Sequence, residues 1–504
     1  MSAPTFDLGE LHGGLRLKGR KKAATASGIH RMPIPKQLIL PITQHVGVAA
    51  NPVVGIGEKV LKGQLIADID DGLGAPVHAT SSGKVVAIEP WPVSRRHGDV
   101  APCIIIETDG EDRAIAAAEA HADFRSMSAD ALRAHILRGG IVGLGGAVFP
   151  TAQKLMQARA SNIKVLLING VECEPYISCD DLLMRESARE ILVGAQMMMH
   201  ALEIEQCIFA VESDKPEALQ RLAAELTKLD DRRIVLKQIP TIYPSGGEDQ
   251  LVQLVANREV PSGGLPTDVG CLVQNVGTAA AICNWVADGE PLLSRITTVT
   301  GDGVKQPMNV AVRLGTTVAD VIEFAGGYTE DVSTLIIGGP MTGKSMSTDS
   351  IPVVKATNCI LALQAPPSSG AELACIRCGD CAEVCPVQLQ PQQLFWYACS
   401  DNEQQLRVHG LTDCIECGCC DLVCPSHIPL TANFRIAKGR MSELADEKAR
   451  AERARRRFEA RNERLQRERR ERESQLEEQK QQAKRAGPAE IAEIMKRRSN
   501  KDGD

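Results

Sequence analysis

Eleven of the 17 cysteines in this 504-residue chain lie between Cys359 and Cys424, and eight of these fall into two copies of one spacing. The first copy is Cys375-x2-Cys378-x2-Cys381-x3-Cys385; the second is Cys414-x2-Cys417-x2-Cys420-x3-Cys424. Pro386 and Pro425 follow them. Three thiolates at this spacing fold around one face of an iron–sulfur cubane. A zinc site of four thiolates usually draws on two separated pairs. The repeated run therefore predicts two 4Fe-4S clusters. Cys419 interrupts the second run without breaking its spacing and reads as a bystander, and Cys399 as a packed thiol.

The fourth cysteine of each run sits on a following helical turn that points elsewhere. In two-cluster ferredoxins it ligates the other cluster. The expected sets are Cys375, Cys378, Cys381 and Cys424 for one cluster, and Cys414, Cys417, Cys420 and Cys385 for the other.

Length and composition set the frame for these sites. At 504 residues, with 43% hydrophobic and 24% charged residues, the chain reads as three to four globular domains. Aromatic residues at 3% and a net charge of −7 exclude a stacking or polyanion-binding surface, so no nucleic-acid partner is expected. No run of 18 apolar residues predicts a membrane span. The segment Met1 to Leu17 lacks the pattern of a signal peptide. A reducing cytosolic setting is expected, where thiols are ligands or packed groups.

Between Ile42 and Glu107 short β-rich runs alternate with glycines: Val46–Val48, Val53–Gly55, Leu65–Ala67, Val85–Ile88 and Ile104–Ile106. The phrases Gly57–Gln64, Ala75–Ala79 and Ser82–Val85 resemble a biotinyl/lipoyl-type barrel-sandwich hybrid. Its tip, Asp70 to Gly74, has no lysine to carry a cofactor, so a structural or docking domain is expected. From Ile163 to Cys283 the pattern becomes α/β. Val165–Ile168, Cys207–Val211 and Ile234–Leu236 read as buried strands, and 182–202 and 216–229 as helices. Such alternation predicts a mostly parallel sheet with ligands at its strand ends.

Four stretches could meet a ligand, one glycine-rich run before the sheet and three polar ones at its strand ends. One is the run Gly139 to Thr151, which breaks G-x-G-x-x-G at Val148 and is followed by Lys154. The others are Asn169-Gly170-Val171-Glu172-Cys173-Glu174-Pro175, Tyr243 to Asp249, and Gln274 to Thr278. Together they resemble the flavin- and NADH-binding subunit of respiratory complex I, the 51 kDa family. With the sandwich before them and the cysteine runs after, the whole chain resembles the C subunit of the Rnf (Rsx) ion-translocating ferredoxin:NAD oxidoreductase complex. The resemblance implies non-covalent FMN held by Gly143, Gly145, Lys154, Asn169, Glu172, Tyr243, Gly247, Glu248, Asn275 and Thr278. It implies Phe149, Glu174 and Asp249 on the NADH side, with Glu174 and Asp249 as the catalytic candidates. Two positions depart from the complex I pattern: Val171 replaces an aspartate, and the Tyr243 segment is one residue longer.

A competing motif, Gly338-Gly339-Pro340-Met341-Thr342-Gly343-Lys344-Ser345, matches G-x-x-x-x-G-K-[ST] after the apolar run Leu335–Ile337. A phosphate loop needs a helix next. The following Met346 to Pro352 is turn-like, so triphosphate binding is not expected here. The region instead resembles the soluble-ligand-binding β-grasp domain of the same family. Residues 440–504 carry 20 basic and 15 acidic residues, with opposite charges four apart, as in Glu452/Arg456 and Glu463/Arg467. That pattern predicts an exposed charged helix or a disordered tail.

The expected architecture is multidomain α+β and α/β. It comprises a barrel-sandwich hybrid (1–120), an FMN/NADH-binding α/β domain (121–290), a β-grasp domain (291–358), a two-cluster ferredoxin-like domain (359–439) and the charged tail (440–504). The expected function is that of a peripheral electron-transfer subunit on the cytoplasmic side of the bacterial inner membrane. It exchanges electrons between NADH and ferredoxin-type carriers, with integral-membrane and ferredoxin-like partner subunits and, indirectly, ferredoxin or flavodoxin. The alternatives are a flavin-free iron–sulfur scaffold subunit, or a diaphorase subunit of a soluble dehydrogenase or hydrogenase.

Overall fold

The computed structural model describes residues 8–94, 99–116, 120–121, 123–159, 161–366, 370–485 and 487–499. The chain divides into two units, 1–434 and 435–504.

In the first unit the sandwich is built from two antiparallel sheets. One orders Gln37–Pro41, Val100–Thr108, Gly83–Pro92 and Lys59–Val60; the other orders Asn51–Pro52, Leu65–Asp68 and Val77–His78. Period-two alternation sends Leu38, Leu40, Ile104 and Ile106 into the main core. Ile39, Cys103 and Ile105 pack on the opposite face with Val93 and Ala101. Burial on both faces explains the unbroken apolar run at Ile104–Ile106. The expected strands at Val46–Val48 and Val53–Gly55 are not formed. Gly47 lies at φ 114°, and a Cβ there would meet the Leu73 carbonyl oxygen at 2.1 Å, so the chain turns closely over that residue instead.

The α/β sheet is fully parallel, in the order Ile234–Ile239, Cys207–Glu212, Val165–Gly170 and Cys271–Asn275. The helix expected over 182–202 is two helices, Cys179–Glu186 and Ala188–Leu202, parted at Ser187 with φ −124° and ψ 35°. The Glu186 carboxylate beside this break accepts from the Ile29 backbone N–H at 2.8 Å. Pro216–Leu229 forms as expected, with proline at its first turn, where no N–H is needed. Gly194 lets Ala188–Leu202 press on Val276–Asp288: a Cβ there would lie 1.8 Å from the Ala279 carbonyl oxygen.

A six-stranded mixed sheet follows, ordered Ile29–Arg31, Met308–Arg313, Ser294–Thr300, Cys359–Leu363, Thr334–Ile337 and Lys344–Met346. Two of its strands come from outside the expected 291–358 segment. Ile29–Arg31 pairs with Met308–Arg313, and the wholly buried Cys359–Leu363 pairs with both Ser294–Thr300 and Thr334–Ile337. The cysteine runs then lie on loops that lead into the short helices Asp380–Glu383 and Cys419–Val423.

The second unit is helical. It holds most of Leu430–Arg485 and all of Pro488–Ser499. Glu452 pairs with Arg455 and Arg456, Arg455 with Glu459 and Arg464 with Glu468, the spacing that supports an exposed helix. No helix among the described residues is long and apolar enough to cross a membrane.

Candidate functional site

A cavity of about 650 Å³ opens at the carboxyl ends of Val165–Gly170 and Cys271–Asn275, where parallel sheets place ligands. Its volume lies within the range of cofactor pockets. The glycine run forms one wall. Val142 bridges Pro150, Gly143 N donates to the Phe149 carbonyl at 2.8 Å, and Leu144 N donates to Thr278 Oγ1 at 2.9 Å. Arg295 then holds the Leu144 carbonyl at 2.6 Å. These bonds present Leu144, Gly145 and Gly146 to the cavity. A Cβ on Gly145 would meet nothing closer than Asn275 Cβ at 3.5 Å, and one on Gly146 nothing within 4 Å. Of the expected residues, Gly143, Phe149 and Thr278 lie off the wall. They close and brace the loop.

The segment after Val165–Gly170 supplies acids. Asn169 donates to the Gly246 carbonyl at 2.9 Å and so ties two loops of the wall together. Glu172 stands at φ 52°, its side chain 4% exposed, and accepts from the backbone N–H groups of Asp180 (2.7 Å) and Asp181 (3.2 Å). It thereby caps the helix Cys179–Glu186, where an anion is favoured. Burial pushes Glu172 up to about 7. Lys21, 4.0 Å away, opposes that shift and Asp180 adds to it. Burial also raises Asp180, which accepts from Asn275 Nδ2 at 2.6 Å. Val171 lies in the apolar core beside Leu251, Val252 and Val273.

Glu174 lines the cavity and is fastened to the loop 338–343. Its Oε1 accepts from Thr342 N (2.9 Å) and Thr342 Oγ1 (2.7 Å), and its Oε2 from Met341 N (3.2 Å). Burial raises its pKa. Lys154 lies off the wall, engaged with Glu248 Oε1 at 2.7 Å and the Val273 carbonyl at 2.9 Å.

Tyr243, Gly247, Glu248 and Asp249 all reach the cavity. Tyr243 exchanges backbone hydrogen bonds with Leu15 at 2.7 and 2.8 Å, and its hydroxyl donates to the Cys417 carbonyl at 2.6 Å. Gly247 precedes the helix Glu248–Ala256. Asp249 is raised by burial and by the like charge of Glu248.

Sequence reasoning missed several contributors to the wall, among them Asp180, the hairpin loop 338–343 with Lys344, and Ile415 with Cys417. The loop was visible only as the accidental phosphate-loop match. It joins two antiparallel strands, Thr334–Ile337 and Lys344–Met346, and no helix follows it.

The eight cysteines gather in two small cavities. One is lined by Cys375, Cys378, Cys381 and Cys424, the other by Cys385, Cys414, Cys417 and Cys420. Cys419 also reaches the second cavity. Cys399 is exposed and lines neither. Ile415 and Cys417 line both the second thiol cavity and the large cavity.

Three family profiles match successive parts of the chain: the RnfC barrel sandwich hybrid domain over 9–111, the Nuo51 FMN-binding domain over 136–284 and the SLBB domain over 296–345. The fold is thus a mixed α/β multidomain arrangement of these parts. The C subunit of the ion-translocating oxidoreductase complex of Pseudomonas aeruginosa is 47% identical over 453 residues, covering 89% of this chain and 58% of that protein. The chain spans about three fifths of the length of the first curated relatives it matches. The corresponding C subunit from Salmonella gallinarum is 41% identical over 457 residues, covering 90% of this chain and 67% of its own. Among solved structures, an NAD+-reducing NiFe-hydrogenase in the air-oxidized state aligns with a TM-score of 0.43 and 19% identity, over 56% of this chain and 54% of that one. At this identity and coverage of the Salmonella protein, the chain belongs to the family of C subunits of the ion-translocating oxidoreductase complex.

Proposed function

We propose that the chain is the peripheral electron-input subunit of a membrane-bound ion-translocating oxidoreductase. In this reading it exchanges electrons between NADH and ferredoxin-type carriers through non-covalent FMN and two 4Fe-4S clusters. Integral-membrane partner subunits couple that exchange to ion transport, and the chain sits on the cytoplasmic side of the inner membrane. The observation that carries this reading is the shared wall: Ile415 and Cys417 face both the nucleotide-sized cavity and the thiol set Cys385, Cys414, Cys417 and Cys420.

The residues present suit these groups. Gly145 and Gly146 leave open space that a side chain would fill, and glycine is used where backbone meets a flat ligand. All-thiolate sets of four are the donors that iron–sulfur clusters take. FMN bound there would supply the exchange between hydride and single electrons, and the clusters would carry the single electrons.

The protein's own part is to bind, orient and hold protons. The loop Leu144–Gly146 and Asn275 form one side of the cavity. The Tyr243 hydroxyl fixes the Cys417 backbone against the other. Glu172, pushed to about 7, holds or releases a proton near neutrality at a carboxylate already fixed by two backbone N–H groups. The second-motif thiol set adjoins the cavity and therefore comes first in the path. The set containing Cys378, which is exposed, comes second and faces outward. Val171 lies in the core and is absent from the cavity wall.

Anaerobic purification with cofactor extraction tests the proposal. About eight irons and one FMN per chain support it. Iron without flavin, or two zinc ions in place of iron, overturns it.

A further inference from the structure

The loop 338–343 has the spacing of a phosphate loop, yet its backbone donors point elsewhere. Gly338 N donates to the Cys359 carbonyl (2.8 Å), Gly343 N to the Gly339 carbonyl (2.9 Å), and Met341 N and Thr342 N to Glu174. Pro340 has no N–H. With four of its N–H groups committed in this way, the loop offers no nest of several N–H groups to an anion.

It does form part of the large cavity, through Gly338, Gly339, Thr342, Gly343 and Lys344. That wall carries five carboxylates: Glu172, Glu174, Asp180, Glu248 and Asp249. Among the described wall residues Lys344 is the only lysine or arginine. Lys154, the expected phosphate partner, lies off the wall. A nucleotide phosphate entering so acidic a site requires a cation opposite it.

Resting on the reading that the cavity takes a nucleotide, the geometry points to Lys344 as the residue that meets the nucleotide phosphate. Glu174 is the positioning residue that fastens the Lys344 hairpin to the α/β domain. The fastening is close-fitted. Three donors from Met341 and Thr342 converge on the Glu174 carboxylate, and a Cβ at Gly339 would lie 2.3 Å from Glu174 Cδ. The β-grasp domain thus contributes a wall and its positive charge to the electron-input site, besides packing beside it.

Lys344 is exposed on a short strand, so Lys344→Met should fold. The test uses the full chain, purified anaerobically. One arm measures FMN retained per chain and the affinity for FMN against riboflavin; the other measures NADH affinity of FMN-loaded protein. If Lys344 meets the dinucleotide phosphate, the NADH Kd rises about tenfold or more, FMN content holds and Lys344→Arg restores binding. If it meets the FMN phosphate, FMN affinity falls by a similar factor while riboflavin affinity is unchanged. Either result supports the assignment. Glu174→Ala should cause the same loss, and adding it to Lys344→Met should cause little more, because the two act as one unit. Glu174→Gln should recover part of the loss, since an amide oxygen still accepts from Thr342. Fully additive losses overturn the positioning role. A wild type that takes up neither FMN nor NADH overturns the nucleotide reading. A wild type that binds both, with a Lys344→Met variant equal to it in both arms, overturns the Lys344 assignment alone.

Discussion

The Tyr243 hydroxyl donates across 2.6 Å to the carbonyl oxygen of Cys417, so a side chain of the large cavity is bonded to the backbone of the second cysteine run. Tyr243 is buried, and burial holds its phenol well above its ordinary range, so it remains a neutral donor. The two sites are therefore joined by a hydrogen bond as well as by a shared wall.

Tyr243→Phe removes that donor and leaves the Cys417 carbonyl without its partner, which costs about 1–3 kcal/mol when the group is buried. Iron and FMN should be retained. Cluster reduction by NADH should slow and the melting temperature should fall, as followed by stopped-flow absorbance and calorimetry. Unchanged rate and unchanged melting would remove any role for the bond.

The grouping of Cys424 with the first run and Cys385 with the second leads to a crossed outcome. Cys424→Ser should damage the cluster held mainly by Cys375, Cys378 and Cys381. Cys385→Ser should damage the one held by Cys414, Cys417 and Cys420. Low-temperature magnetic resonance that separates the two clusters decides the point. Damage confined to each cysteine's own run would contradict the crossing.

At Gly145 the nearest neighbour of an added Cβ is Asn275 Cβ at 3.5 Å, an ordinary contact. Gly145→Ala should therefore fold normally. Gly145→Leu should project into the cavity and expel FMN while leaving iron in place. Flavin and iron are measured together in the soluble fraction. Full flavin retention by the leucine variant would remove Gly145 from the binding site, and loss of both cofactors would mark it as a purely structural turn.

Glu172 gives a pH dependence. Its folded value of about 7 lies above the ordinary 4.5. The folded state thus holds the proton more tightly than the unfolded chain. The stability this group contributes is complete below about pH 4.5 and is lost as pH rises through about 7. Glu172→Gln, which carries no charge and still offers an oxygen to Asp180 N–H, should flatten that slope. Thermal melts from pH 5 to pH 8 check it, and equal slopes in wild type and variant would contradict the assignment.

Much of this was legible where local sequence carries the signal. Val165–Gly170 and Cys207–Glu212 are buried strands and read as continuous apolar runs. Pro216–Leu229 announces itself by its proline and its periodicity. The two cysteine runs are legible from spacing, and the crossed fourth ligand is expected from two-cluster ferredoxins. What escaped depends on partners far away in sequence. Lys21 meets Glu172 from 151 residues away, and the Thr342 hydroxyl meets Glu174 from 168. Ile29–Arg31 has only three residues and becomes a strand through Met308–Arg313. Val171, which departs from the complex I pattern, packs in a core drawn from distant residues such as Leu251 and Val273. Lys154, expected beside a phosphate, is bonded to Glu248 from 94 residues away.

The most direct measurement of the central claim is anaerobic reduction by NADH, followed at the flavin and cluster absorbances together. Wild-type protein should show flavin reduction first, then the cluster of Cys385, Cys414, Cys417 and Cys420, then that of Cys375, Cys378, Cys381 and Cys424. In Gly145→Leu, NADH should reduce neither cluster while dithionite still reduces both. Clusters reduced by NADH at the wild-type rate in protein without flavin, or a first-run cluster reduced before the second, would contradict the account.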